Sequence, residues 1–144
     1  RCALPTSADG PDALVDSSVA VALVTPGHEH HRTTVEAVAG RRLGLAGHAA
    51  FETASVLTRL PPPLRRTPAT IGRLLARRFP ESRFLSAELA ADLFGRLADL
   101  GIGGGAVYDA LVAATAVEHR LPLVSRDRRA IGTYRAAGVD LEIV

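Results

Sequence analysis

Short apolar runs alternate with longer amphipathic segments along the chain. Five of these runs predict buried strands, at 13–15, 43–46, 83–85, 121–124 and 140–144. Between them, apolar positions recur at helical spacing and predict helices at 19–24, 28–40, 49–60, 67–79, 86–100, 106–119 and 128–137. Strands separated by helices need crossover connections, so we expect an α/β fold in which helices cover both faces of a parallel sheet. Residues 13–144 are predicted to form one domain that follows a flexible N-terminal tail at 1–12.

Composition narrows the possible functions. The 17 basic residues are all arginine, and without lysine the chain has no Walker P-loop, kinase or Schiff-base chemistry. The single cysteine excludes an internal disulfide and a cysteine-based zinc site. No apolar run reaches the roughly 18 residues that span a membrane, and residues 1–11 lack the apolar core of a signal peptide. We therefore expect a soluble cytoplasmic protein with no membrane partner.

Four acidic residues fall near the ends of predicted strands. Asp16 directly follows the first strand, and Asp127 lies just beyond the fourth. Glu52 lies early in the helix after the second strand, and Asp109 in the first turn of the helix that leads into the fourth. Ligands of open parallel sheets bind at the carboxyl ends of the strands, so we expect these side chains to share one rim of the sheet.

Electrostatics indicates what such a group of acids would need. Two carboxylates about 4 Å apart repel by roughly 4 kcal/mol at an effective dielectric constant near 20, whereas a whole domain is stable by only about 5–15 kcal/mol. A divalent hard cation such as Mg²⁺ or Mn²⁺ neutralises carboxylates and promotes hydrolysis of phosphodiesters. The alternative is that each acid only caps a helix or favours its first turn, since Asp and Glu are common there.

The segments that carry these acids resemble those of a known family. Leu14–Val19 (LVDSSV), Phe51–Glu52, Tyr108–Ala116 (YDALVAATA) and Leu123–Asp127 (LVSRD) are similar, in order and spacing, to the motifs of PIN-domain ribonucleases, especially VapC-type toxins of bacterial toxin–antitoxin pairs. The resemblance implies a three-layer α/β/α fold around a five-stranded parallel sheet. It also implies a homodimer, Mg²⁺- or Mn²⁺-dependent cleavage of RNA, and inhibition by a VapB-type antitoxin.

The same resemblance assigns roles to individual residues. Asp16 and Asp109 would be the principal metal ligands, and Glu52 and Asp127 would complete the catalytic acidic set, directly or through water. Two hydroxyl residues, Ser18 and Ser125, would orient a ligand or a water molecule.

Arginines near the fourth strand are candidates for RNA contacts. Arg126, Arg128 and Arg129 flank the predicted centre, where they would contact phosphates; the alternative is that they only form a solvated face. Aromatic residues make up only 4% of the chain, so base stacking is predicted to contribute little to recognition.

Other functions compete with that of a ribonuclease. A catalytically silent PIN-like scaffold would bind a partner and show no stabilisation by Mg²⁺ or Mn²⁺. A Mg²⁺-dependent small-molecule phosphatase of the haloacid-dehalogenase type would need D-x-D after the first strand, where this chain has Asp16-Ser17-Ser18. A receiver domain would need a lysine, which the chain lacks.

Overall fold

The computed structural model describes residues 10–144, in which short parallel strands alternate with α-helices. The strands are β1 (Ala13–Val15), β2 (Leu43–Leu45), β3 (Leu123–Ser125) and β4 (Leu141–Ile143). The helices are α1 (Ser17–Val24), α2 (His31–Ala37), α3 (His48–Thr58), α4 (Pro68–Arg78), α5 (Ala87–Arg96), α6 (Ala106–Glu118) and α7 (Ile131–Ala136), with a 3₁₀ helix at Arg128–Ala130. Residues 1–9 of the predicted tail lie outside the described residues. No helix in the described range is long and apolar enough to cross a membrane.

The two faces of the sheet are covered by different helices, because successive side chains of a strand point to opposite faces. Ala13 and Val15 pack in a core that also contains buried side chains of α1, α3 and α4. Leu14 packs in a second core, with side chains of α6 and with Tyr134 of α7. The predicted three-layer α/β/α fold is therefore confirmed.

The order of the strands predicts that a ligand would bind between β1 and β3. The order is β2-β1-β3-β4, and all three pairings are parallel. The chain leaves β1 towards β2 at one edge and leaves β3 towards β4 at the other, so the connections diverge. Open α/β sheets bind ligands at such a divergence, beyond the carboxyl ends of the strands.

The predicted strand at 83–85 is wrong, because this segment pairs with β2 at only one position, and the sheet of the described residues has four strands instead of the expected five. The contact is a single bridge between Ala46 and Arg83. The N–H of Leu45 donates to the side-chain oxygen of Ser82, 2.9 Å away, so the backbone ladder does not extend along β2. After Arg83 the chain turns away from the sheet to begin α5, whose first turn is capped by the Ser86 hydroxyl.

A glycine allows this segment to approach β2 closely. A Cβ atom on Gly44 would lie 2.1 Å from the backbone oxygen of Glu81, well inside van der Waals contact. The packing of the sheet edge therefore requires glycine at this position of β2.

Candidate active site

The buried side chain of Asp16 forms hydrogen bonds with α1, β3 and α7. It is 3% exposed, and its Oδ1 accepts hydrogen bonds from the Ser18 hydroxyl at 2.5 Å and from the backbone N–H of Val19 at 3.3 Å. Its Oδ2 accepts from the hydroxyls of Ser125, at 2.5 Å, and Tyr134, at 2.9 Å. A carboxylate has about four lone-pair sites, so these four donors fill its hydrogen-bonding capacity. Asp16 thus caps α1, as one alternative predicted, and also ties β1 to β3 and α7.

The two predicted orienting serines connect Asp16 to the loop that follows β3. While donating to Asp16, Ser18 accepts the backbone N–H of Arg126 at 2.8 Å. Ser125 likewise accepts the backbone N–H of Asp127 at 3.0 Å. Each hydroxyl is therefore a bridge that sets the position of this loop relative to Asp16.

Tyr134 is a part of the site that the sequence analysis missed. Its side chain is 2% exposed, and burial, followed by the charge of Asp16 and the hydrogen bond to it, raises the pKa of the phenol far above its usual range. The hydroxyl therefore stays protonated and acts as a permanent donor to Asp16. The signal was present in the sequence, since a tyrosine on the inward face of a predicted helix needs a polar partner for its hydroxyl.

Glu52 is held at the same rim by side chains from α1 and α3. Its Oε2 accepts a hydrogen bond from the Ser17 hydroxyl at 2.8 Å. Its Oε1 lies 3.4 Å from Nε2 of His48, one helical turn earlier in α3. The spacing of four residues along one helix predicts that His48 could lie beside Glu52, whereas the contact with Ser17 was not predicted.

Asp109, in the first turn of α6, has an unusual electrostatic environment. Burial, followed by the negative charges of Asp127, Glu52 and Asp16, raises its pKa above 3.8, and Arg129 opposes this only as the weakest of these influences. Among the described residues 10–144, no hydrogen bond to the Asp109 carboxylate offsets these effects. The charges of the three other predicted site acids therefore act on Asp109, and its own carboxylate lacks the donors that hold Asp16.

Asp127 and the predicted RNA-contacting arginines surround the loop after β3. The carboxylate of Asp127 accepts the backbone N–H of Arg129 at 3.0 Å, which caps the 3₁₀ helix, and lies 3.5 Å from that residue's Nε. The side chain of Arg129 is 95% exposed, and Arg128 is exposed as well. Arg126 differs, because its Nη1 donates to the hydroxyl of the buried Thr34 in α2, 3.2 Å away. Arg128 and Arg129 are therefore the exposed arginines of this loop, and Arg129 also pairs with Asp127.

The four carboxylates are close enough to interact, but they do not form a complete metal coordination sphere. Within residues 10–144, no three acidic, histidine or cysteine side chains already converge as the ligands of one ion. Mg²⁺ does not require such a cage, because it keeps several waters and is often bound through one or two carboxylates. The donors are all hard oxygens, which suit Mg²⁺ or Mn²⁺. The assignment of the four acids as metal ligands stays a prediction.

Comparison with protein families and curated proteins connects this arrangement to known relatives. The model of the family described as "PIN domain" matches residues 13–136. Ribonuclease VapC27 of Mycobacterium tuberculosis is 47% identical over 133 residues, which cover 92% of this chain and 97% of that protein. Ribonuclease VapC40 of the same species is 42% identical over 131 residues, with 90% and 96% covered.

Solved structures with the same fold are more distant in sequence. The FitAcB structure from Neisseria gonorrhoeae superposes with a TM-score of 0.59 at 18% identity, over 90% of this chain and 95% of that one. PAE2754 from Pyrobaculum aerophilum has a TM-score of 0.54 at 21% identity, with 92% and 91% covered. At these identities the likeness shows a shared fold.

Proposed function

We propose that this chain, which belongs to the PIN-domain family and within it to the VapC-type ribonucleases, is a Mg²⁺- or Mn²⁺-dependent endoribonuclease that acts as a toxin. It would hydrolyse phosphodiester bonds of RNA. The two curated relatives are named as ribonucleases, and they match nearly the whole length of this chain.

The observation that carries the metal requirement is the environment of Asp109. This carboxylate is exposed to the charges of three other acids and has little to offset them. A bound divalent cation would reverse that balance, because it attracts every carboxylate that now repels Asp109. The residues present therefore fit a hard divalent cation.

The proposed metal-binding residues are Asp16, Asp109, Glu52 and Asp127. When bound, the cation would polarise a phosphoryl oxygen and lower the pKa of a water molecule. The four lone-pair sites of Asp16 are already occupied, so its direct coordination of an ion would displace one donor; the longest of these hydrogen bonds, from the N–H of Val19, is the weakest. Asp109 needs no such displacement.

The chain's own groups would position the reacting atoms. Carboxylate oxygens at the rim would orient the attacking water, which forms a bond to phosphorus as the bond from phosphorus to the 3′ oxygen breaks. The products would be one RNA end with a 5′-phosphate and one with a 3′-hydroxyl. Arg128 and Arg129, exposed beside Asp127, would bind neighbouring phosphates. Arg126 would help mainly by fixing the loop to α2.

Partners form part of the same proposal. A VapC-type toxin implies a VapB-type antitoxin and a homodimer, and action on cellular RNA implies a cytoplasmic location. An apolar groove of about 480 Å³ between α5, α6 and α7 would suit a protein partner, since it is lined by side chains such as Leu89, Leu93, Ile102 and Val117. Sedimentation of the purified chain, alone and with its antitoxin, measures both assemblies.

The test is cleavage of total RNA by the purified chain in Mn²⁺ and in a chelator, followed by mapping of the new ends. Asp109→Asn is the preferred variant, because Asp16→Asn would disturb four hydrogen bonds in the core. Loss of even the outer partners of metal ligands costs about 10- to 100-fold, so we expect Asp109→Asn to lower the rate at least about 100-fold. Asp99→Asn, at an exposed carboxylate, is the matched control and should cleave like the wild type.

Three results would reject the proposal. Cleavage that persists in chelator, or that survives Asp109→Asn, would rule out the proposed centre. A folded protein that cleaves no RNA and is not stabilised by Mn²⁺ would instead favour the catalytically silent scaffold.

A further inference from the structure

Four ring-bearing side chains form one cluster beside the acidic rim, although the chain is poor in aromatic residues. The ring cluster consists of His48, Phe51, Phe84 and Tyr108. The imidazole of His48 stacks on Tyr108, with centroids 4.6 Å apart and planes 12° apart. Phe51 lies 6.3 Å from His48 and, edge to face, 6.3 Å from Phe84. Three segments that are distant in sequence thus contribute rings to one surface.

The rings of this cluster face solvent instead of the core. Phe51 is 65% exposed, Phe84 53% and Tyr108 49%. Three of the chain's six aromatic residues are therefore exposed in one place, whereas Phe79 and Tyr134 are almost fully buried. Leaving a large apolar side chain in water forgoes about 1.5–3 kcal/mol of burial, so a group of such side chains indicates a binding surface.

The ring cluster is continuous with the candidate active site. His48 contacts Glu52 at 3.4 Å, and Tyr108 immediately precedes Asp109 in α6. An open groove of about 470 Å³ is lined by His48, Phe51, Tyr108, Glu52 and, at its far end, the exposed Arg59. Any ligand in this groove would also lie against the acidic rim.

We propose that the ring cluster is a stacking platform for an unpaired nucleobase of the RNA, next to the scissile phosphate. This inference rests on the proposed function. A nucleotide matches the groove chemically, because its base stacks on aromatic faces and its phosphate pairs with a guanidinium such as that of Arg59. A purely apolar protein segment would cover the exposed guanidinium of Arg59 and offer its charge no partner. The platform revises the expectation that base stacking contributes little.

The platform favours unpaired RNA over a duplex, because bases inside a helix are stacked on each other and cannot lie on a ring. Stacking tolerates any base, so the platform would bind single-stranded segments without specifying their sequence.

The experiment measures RNA binding separately from cleavage. The probe is a single-stranded oligo(rA) with one central 2-aminopurine, whose fluorescence is quenched by stacking. All proteins carry Asp109→Asn, so the probe is not consumed. Stacking of one base on an aromatic side chain corresponds to about a 5- to 150-fold change in affinity, and we expect Phe51→Ala to weaken binding by that factor and to reduce the quenching.

Matched variants separate stacking from other roles of the surface. Phe51→Tyr keeps a ring and should bind like the parent, whereas Phe51→Leu keeps an apolar side chain without a ring and should bind like Phe51→Ala. Phe94→Ala removes a 79%-exposed ring on α5 outside the cluster and should have no effect. Circular dichroism checks that each variant is folded. We expect the Phe51 variants to fold, because Phe51 is exposed and its ring is not part of the core.

Three results would overturn the platform. They are unchanged RNA binding by both Phe51→Ala and Tyr108→Ala, parent-like binding by Phe51→Leu, or dissociation of a dimer by Phe51→Ala with RNA affinity unaltered, which would assign the surface to a second copy. These experiments test the platform separately from the proposed nuclease function. A wild-type chain that cleaves RNA while the ring variants bind normally rejects only the platform, and ring-dependent binding without any cleavage rejects only the nuclease.

Discussion

The Tyr134 hydroxyl is predicted to stabilise the whole fold through its hydrogen bond to Asp16. Tyr134→Phe removes this donor and leaves Oδ2 of Asp16 with only the Ser125 hydroxyl. A hydrogen bond to a charged group contributes about 1.5–3 kcal/mol, which is a large share of a typical domain's 5–15 kcal/mol or so. For 144 residues the entropy of unfolding converts each kcal/mol to about 3 °C. We therefore expect the melting temperature to fall by about 5–10 °C.

Thermal unfolding followed by circular dichroism measures this loss, with Tyr108→Phe as the matched control. The ring of Tyr108 is 49% exposed, so the loss of its hydroxyl should change the melting temperature by about 1 °C or less, as is usual for surface substitutions. Ser125→Ala and the double variant complete a cycle, and two donors to one oxygen should couple by about 0.5–3 kcal/mol. A Tyr134→Phe protein that melts within 1 °C or so of the wild type would refute the reasoning.

Two further predictions concern pH and backbone packing. Because the pKa of Asp109 is raised above 3.8, the folded protein binds this proton more tightly than the unfolded chain does, and the free energy of unfolding falls as the pH rises from 3.8 through the raised value. In metal-free buffer, Asp109→Asn should therefore have a higher melting temperature than the wild type at pH 7 and the same melting temperature in acid. A lower melting temperature of the variant at pH 7 would contradict this prediction. Gly44→Ala should reduce the soluble yield or the melting temperature sharply because its Cβ meets the backbone of Glu81, whereas Gly72→Ala, in open space on α4, should stabilise the protein by about 0.5–1 kcal/mol in chemical denaturation.

Hydrophobic periodicity was sufficient to predict most of the fold. Short apolar runs bounded by helical segments located β1 to β4, and strand-separating helices required a parallel sheet covered on both faces. The exception, 83–85, shows the limit of the method. Its apolar pattern is that of a strand, but the Ser82 side chain takes the ladder hydrogen bond of Leu45, and no local pattern reports that competition.

The proximity of the four acids was predictable from the sequence, but the contacts that support them were not. Asp16 and Asp127 are tied to strand ends, and topology brings strand ends together. The contacts of Tyr134 and of the ring cluster depend on where α7, α3 and α6 pack, which is a tertiary property. An aromatic content of 4% likewise does not indicate whether the few rings lie together.

Calorimetric titration of the metal-free protein with Mn²⁺ tests the central claim most directly, namely that acids from four separate segments act as one site for a divalent cation. The account predicts measurable binding by the wild type and by Asp99→Asn, and its loss in Asp109→Asn, with stability at neutral pH showing that the variant is folded. Equal binding by Asp109→Asn, or no binding by the wild type, would contradict it.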